Sequence, residues 1–142
     1  MAHFSYQRRV AFCDTDAMGV VHHSNYIRYL EEARVAWMRA HQLNQAHFPH
    51  SEVVLAVVKV EVHHEAPAFF DDALAISLQV RREGLKIHFR YAIYREPSGN
   101  RVAWGETIHV PVNKDLKAVR PDKLLSDHLE KEQWIETWPL NS

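Results

Sequence analysis

Ser24-Asn25-Tyr26-Ile27-Arg28-Tyr29-Leu30-Glu31-Glu32-Ala33-Arg34-Val35-Ala36-Trp37 is the stretch on which the fold turns. Tyr26, Ile27, Leu30, Ala33 and Trp37 recur at spacings of three and four, and Arg28, Glu31, Glu32 and Arg39 point in other directions. That spacing predicts an amphipathic helix of roughly four to five turns, with Ser24 as its expected N-cap. Upstream, Phe4, Tyr6, Val10 and Phe12 alternate loosely, which predicts a strand over 4–12. Downstream, Val53 to Val58 is wholly apolar and reads as covered on both faces, and Val58, Val60 and Val62 then alternate with polar residues. Leu74, Ile76, Leu78 and Val80 form a third period-two run. Ile87, Phe89, Tyr91 and Ile93 form a fourth. Val102, Trp104, Ile108, Val110 and Val112 form a fifth, in which Glu106 shares the apolar face and a bulge near Gly105 is expected. Turn signals stand at Pro67–Asp72, Glu83-Gly84 and Pro97-Ser98-Gly99-Asn100. Pro121 suits the first turn of a short helix ending at about Lys131.

One helix and five strands joined mostly by short turns predict an α+β domain with an antiparallel sheet, in which the helix and one sheet face bury each other. The 142 residues suit a single domain, 1–142, with a core over about 4–113 and a terminal helix over about 121–131. The tail after Trp134 is expected to be loosely ordered. Composition excludes several classes. With 46% hydrophobic and 25% charged residues, disorder is not expected. A formal net charge of -1 supplies no basic field for nucleic acid. No run reaches membrane-span length, and the N-terminus lacks the apolar core of a secretory signal. Cys13 is the only cysteine, so no intrachain disulfide forms and a reducing, cytoplasmic setting fits.

The segment just before the helix carries the chemistry. Asp14-Thr15-Asp16-Ala17-Met18-Gly19-Val20-Val21-His22-His23 places two carboxylates in a loop that leads to a helix N-terminus. Free N–H groups and the helix dipole there favour negative charge, so they hold a carboxylate ionised or bind an oxyanion. Gly19 lets the chain turn tightly or a ligand approach the backbone. A base beside an oxyanion site is what acyl transfer needs. The competing reading makes both aspartates turn or capping residues.

This segment resembles the signature of the 4-hydroxybenzoyl-CoA thioesterase family, and most of all its bacterial acyl-CoA thioesterases of the type associated with the Tol-Pal system. Asp14, Thr15, Asp16, Gly19, Val20, Val21, His23, Tyr26, Glu31, Ala33 and Arg34 fall in register with the family pattern. The resemblance implies a hotdog fold, in which a five-stranded antiparallel sheet wraps around one long central helix. It also implies hydrolysis of an acyl-CoA thioester to a carboxylic acid and free coenzyme A, without a cofactor. Asp16 would then be the catalytic carboxylate, as nucleophile or as general base for water. The His23 N–H would polarise the carbonyl oxygen and its imidazole would orient water or the acyl group. Gly19, Val20, Asn25 and Tyr26 would shape the substrate site. The family further implies a homodimer or homotetramer with sheets side by side and the active site at the subunit boundary. Two positions depart from the pattern. Phe12 stands where many relatives have tyrosine, so that hydroxyl is lost or supplied by Tyr26 or Tyr29. His22 replaces the usual aromatic residue before the histidine.

Among the other candidates, Asp14 is expected to make local turn hydrogen bonds, and Glu31 and Arg34 to form a structural pair. Tyr26 is first a packing residue. Cys13 is expected to be a buried structural thiol. His22-His23 and His63-His64 are adjacent pairs that, in extended chain, point to opposite faces, so no metal site is expected. Arg81, Arg82, Lys86 and Arg120 are the cations available to the phosphates of coenzyme A, with Arg82 and Lys86 taken as the candidate contacts. Competing functions are hydrolysis of acyl groups carried on acyl carrier protein, a non-catalytic acyl-CoA-binding or interaction protein, and a hotdog dehydratase, for which no site motif is present.

Overall fold

The structure is a computed structural model, and it describes residues 4–41, 43, 54–121, 123–132 and 134. Val53 and the tail beyond Trp134 lie outside the described residues. In chain order the elements are β1 (Phe4–Arg9), a 3-10 turn (Phe12–Asp14), α1 (Ser24–Ala40), β2 (Val54–His64), β3 (Ala73–Glu83), β4 (Lys86–Glu96), β5 (Asn100–Val112) and α2 (Lys123–Lys131). The strands form one antiparallel sheet in the order β1-β3-β4-β5-β2. The predicted α+β class and the five-stranded antiparallel sheet are both present. A second, nine-residue helix stands beside the 17-residue α1.

Alternation puts Leu74, Ile76, Leu78 and Val80 of β3 on one face with their partners Ile93, Tyr91 and Phe89 of β4. All of these are buried. The apolar stripe of α1 packs on this face: Tyr29, Leu30, Ala33 and Trp37 are almost fully buried, and the Trp37 ring meets Phe89 edge-on at 5.6 Å. Each large side chain so removed from water contributes roughly 1.5–3 kcal/mol.

The same register corrects the reading of the last strand. Phe89 pairs with Thr107, Tyr91 with Gly105 and Ile93 with Ala103. The residues facing α1 are therefore Ala103, Gly105, Thr107 and His109, while Trp104, Glu106 and Ile108 lie on the outer face. An apolar count failed here because the outer face is itself partly apolar. Thr107 and His109 are accepted inside because they join a buried chain of hydrogen bonds. The Tyr91 hydroxyl lies 2.7 Å from Thr107 Oγ1, which lies 2.8 Å from His109 Nε2. Pairing is regular at Gly105, and the irregularities fall instead between Val57 and Lys59 and between Ile93 and Tyr94. Glycine at 105 is a matter of space: a Cβ there would stand 2.3 Å from the Glu61 carbonyl oxygen.

Two strand readings change for one reason, position at the sheet margin. β1 ends at Arg9, and Phe12, in the 3-10 turn, is 76% exposed rather than part of the buried face. β2 is an edge strand, and its apolar run is open rather than covered, with Val57, Val58 and Val60 all exposed. At the other margin the C-terminal segment crosses the part of β3 that extends beyond β1. Leu125 and Leu129 join the core, and Glu132 accepts from the Trp37 indole at 3.1 Å. Trp134 then stacks under the Arg81 and Arg90 guanidinium groups of the outer face.

Candidate active site

The loop between β1 and α1 is built on Asp14. Its carboxylate is fully buried and accepts from the Ala11 N–H at 2.9 Å and the Tyr29 hydroxyl at 2.8 Å. The Arg8 and Arg28 guanidinium groups lie 3.3 and 3.6 Å away. Burial alone would raise this carboxyl's pKa; the Ala11 N–H, Tyr29 hydroxyl, Arg8 and Arg28 together outweigh it and hold the pKa below the ordinary range. The Asp14 carbonyl accepts from the His22 N–H at 2.9 Å and the Asn25 side-chain amide at 2.8 Å. One residue thus ties β1, the loop and the start of α1 together.

Asp16 differs. Its Oδ1 accepts the Met18 N–H at 2.8 Å and the Val20 N–H at 3.4 Å, and its backbone closes the turn through Gly19. Gly19 sits at φ +79°, a conformation that L side chains rarely adopt, so the turn itself requires glycine. Among the described residues Asp16 has no ion pair and its Oδ2 has no hydrogen-bond partner. Beside this turn is an open cleft of about 350 Å³ lined by Val20, Val21, His23, Tyr26, His64, Glu65, Ala66 and Pro67. Asp16 is not itself in the lining; it hangs from Val20, which is.

His23, rather than Ser24, occupies the N-cap position, and no side chain of the cap residue bonds the helix. Ser24 is already the first helical residue, so its predicted capping role is corrected. The Asn25 N–H is taken by the His22 carbonyl and the Tyr26 N–H by the His23 carbonyl. Among the described residues the His23 N–H has no acceptor, and His23 is one of the residues lining the cleft.

Of the predicted residues, Val20, His23 and Tyr26 come together in the cleft, and Gly19 and Asp16 adjoin it through the turn. Asn25 is buried and committed to the Asp14 carbonyl. Tyr26 is buried, its hydroxyl bonded by the Ala68 backbone, and burial pushes its pKa up. The Tyr29 phenol is likewise pushed up, first by burial and then by Asp14. The Tyr29 hydroxyl is committed as a donor to Asp14, whereas that of Tyr26 accepts from the Ala68 N–H, and Tyr26 lines the cleft.

Arg82 and Lys86 lie at the β3–β4 hairpin, where Arg82 Nε donates to the Gly84 carbonyl. The cleft is at the opposite end of the sheet, since His64 pairs with Ala103 and Arg95 with Asn100. The length of β4 separates the two, roughly 30 Å at 3.3 Å per residue. Within one chain they do not share a site.

His64, Glu65, Ala66 and Pro67 were missed. His64 packs edge-on against Tyr26 at 4.8 Å, and Glu65 is bound by Arg101, which lowers its pKa. Their only signal was polarity at the end of an alternating run ahead of a proline.

Other expectations change. Cys13 is exposed rather than buried, because the 3-10 turn carries it outward. Arg34 hydrogen-bonds the Tyr91 hydroxyl rather than pairing with Glu31, and α1 instead forms ion pairs through Glu32 with Arg8 at 2.8 Å and Arg28 with Asp14 at 3.6 Å. The rings of His22 and His23 lie 4.1 Å apart, because the chain is already turning into the helix there and is not extended. Among the described residues no three His, Cys, Asp or Glu side chains converge as a metal site. No helix among them is long and apolar enough to cross a membrane.

Comparison with known proteins decides the family. The model of the Thioesterase-like superfamily matches residues 10–129. The chain belongs to that superfamily of hotdog thioesterases. It is 38% identical over 77 residues to the acyl-CoA thioester hydrolase YbgC of Escherichia coli, a match covering 54% of this chain and 58% of that one. It is 29% identical over 126 residues to a 1,4-dihydroxy-2-naphthoyl-CoA hydrolase of Synechococcus elongatus, covering 85% and 90%. In fold it matches a 1,4-dihydroxy-2-naphthoyl-CoA thioesterase from Synechocystis with a TM-score of 0.85 at 23% identity, over 92% of this chain and 97% of that one. The family makes this superfamily member a thioester hydrolase.

Proposed function

We propose that the chain hydrolyses an acyl-CoA thioester to a carboxylic acid and free coenzyme A, with Asp16 as nucleophile or as general base for water. The observation that carries this reading is an Asp16 Oδ2 without a partner and a His23 N–H without an acceptor among the described residues, with Asp16 bonded to Val20 and both Val20 and His23 lining the cleft. The N–H groups of Met18 and Val20 hold Asp16 by Oδ1 and leave Oδ2 to meet a carbonyl carbon or a water. A thioester oxygen at the start of α1 would gain the His23 N–H and the positive end of the helix dipole as charge develops on it. Such donors are worth roughly a hundredfold or more in rate. Val20, Val21, Tyr26 and Ala66 supply an apolar wall for the acyl group, and the Gly19 turn sets its edge. The YbgC relative's name supports coenzyme A as the carrier, with acyl carrier protein as the alternative carrier.

In this reading the sheet wraps α1 as the central helix, and the working unit is a homodimer or homotetramer. The open edge of β2, with Val57, Val58 and Val60 exposed, supports side-by-side pairing of sheets. Arg82 and Lys86 then serve coenzyme A only across a subunit boundary. The exposed, unpaired Cys13 supports a reducing, cytoplasmic setting.

The test is release of free thiol from short, long and aromatic acyl-CoAs by the native chain and by Asp16→Asn. The expected result is a loss of roughly a hundredfold or more with the fold intact. Equal rates would remove Asp16 from the mechanism. Tight acyl-CoA binding without hydrolysis by the native chain would favour a non-catalytic binding protein.

A further inference from the structure

We propose that His22 is a positioning residue for this site: its imidazole Nδ1, acting as a lone-pair acceptor, caps α1 and thereby aims the His23 N–H. The inference rests on the reading of His23 as the oxyanion donor. Three of the first N–H groups at the start of α1 are occupied. That of Ser24 donates to His22 Nδ1 at 3.2 Å, that of Asn25 to the His22 carbonyl at 2.9 Å and that of Tyr26 to the His23 carbonyl at 3.3 Å. A backbone N–H can only donate, so Nδ1 carries the lone pair and the ring proton sits on Nε2. The Ser24 hydroxyl lies 2.8 Å from the same Nδ1 and braces the ring. Through its own N–H on the Asp14 carbonyl, His22 also hangs from the buried anchor of the loop. Its ring covers that of His23 at 4.1 Å, 31° from parallel. His22 thus connects a fixed point in the core to the His23 N–H, which has no acceptor among the described residues.

The charged groups around it are few. His23 lies against the ring. Arg8 and Arg28 reach Asp14, whose buried carboxylate occupies them. On the cleft's far wall are His64 and Glu65, the latter paired with Arg101. An apolar aromatic residue at this position would keep the ring and lack the acceptor, so capping by this ring belongs to chains with histidine there.

Two variants of the full chain test this. His22→Phe keeps a ring and removes the acceptor; His22→Asn removes the ring and restores a short capping oxygen. Amide hydrogen exchange at Ser24 and thioester hydrolysis are both measured. A cap is worth about 1 kcal/mol, or several-fold to tenfold in an equilibrium or rate. We expect His22→Phe to raise Ser24 exchange about tenfold and to lower kcat by a similar factor with KM little changed. His22→Asn should restore most of both. Native-like Ser24 exchange in His22→Phe overturns the capping. Altered exchange with unchanged kcat, or equal damage in both variants, overturns the positioning role. Absence of hydrolysis by the native chain would overturn the proposed function, whereas the exchange result still decides the cap.

Discussion

The polar groups beneath α1 and those at its N-terminal mouth are treated in opposite ways, even where, as with Asp14 and Asp16, they are near neighbours in sequence. Beneath the helix, Asp14 meets Ala11, Tyr29, Arg8 and Arg28. The chain from Arg34 through Tyr91 and Thr107 ends on His109. Most of these polar atoms are partnered, since a buried donor or acceptor left alone costs about 1–3 kcal/mol; the exception is His109 Nδ1, which is buried without a hydrogen-bond partner. At the mouth, Asp16 holds only the N–H groups of its own turn and His23 keeps a donor open. Saturation fixes a structure, and incomplete saturation next to a cleft leaves groups for a substrate. Two aspartates in one short motif therefore serve different ends, and burial tells them apart.

The sharpest way to break this contrast is Asp14→Ala. It leaves the Tyr29 hydroxyl and the Ala11 N–H without their acceptor and removes a counter-charge from Arg8 and Arg28, and should lower unfolding free energy by about 3–5 kcal/mol in urea denaturation. A loss below about 1 kcal/mol would mean that Asp14 does not anchor the loop.

Acid offers a second route. Burial first, then the Arg34 charge, depresses the His109 pKa to about 3. An unfolded histidine takes up its proton near pH 6.5, so the unfolded chain binds more protons below that value. Stability contributed by neutral His109 is complete above about pH 6.5 and is lost progressively toward pH 3, by up to a few kcal/mol. The Asp14 carboxyl, also depressed, adds a loss that begins only below the ordinary aspartate range, about pH 4. Urea midpoints across this range should therefore fall in two steps, and His109→Phe should remove the upper one. Should the upper step persist in His109→Phe, the titrating group is elsewhere.

Asp16→Asn makes the converse case. We expect roughly a hundredfold lower kcat with a stability change within about 1 kcal/mol, since only local turn hydrogen bonds are altered. A large loss of stability would erase the distinction from Asp14. The smallest effect is Gly19→Ala, where φ of +79° should cost about 1 kcal/mol, read as a lower Tm. Its kcat should fall along with Asp16 placement, and an unchanged kcat would show that the turn's geometry is not needed for catalysis.

The sequence by itself determined the elements and the motif. The three-and-four spacing from Tyr26 to Trp37 required a helix with one buried face, and the alternating runs after Leu74 and Ile87 required strands. Spacing of this kind is local, set by 3.6-residue and two-residue periods, and so survives without knowledge of neighbours. The Asp14-to-Arg34 pattern likewise identified the family. What only tertiary structure decided was which surfaces meet. β2 is open because it lies at the sheet edge, and Thr107 and His109 point inward because register with Tyr91 and Phe89 places them there. His64 and Glu65 reach the cleft because β2 ends beside α1, forty residues away in sequence from His23 and His22 by mere chain order. Arg82 and Lys86 are remote for the same reason: a hairpin turns away from the end where α1 begins. Pairing register and layer packing depend on contacts between distant segments, and no local period encodes them.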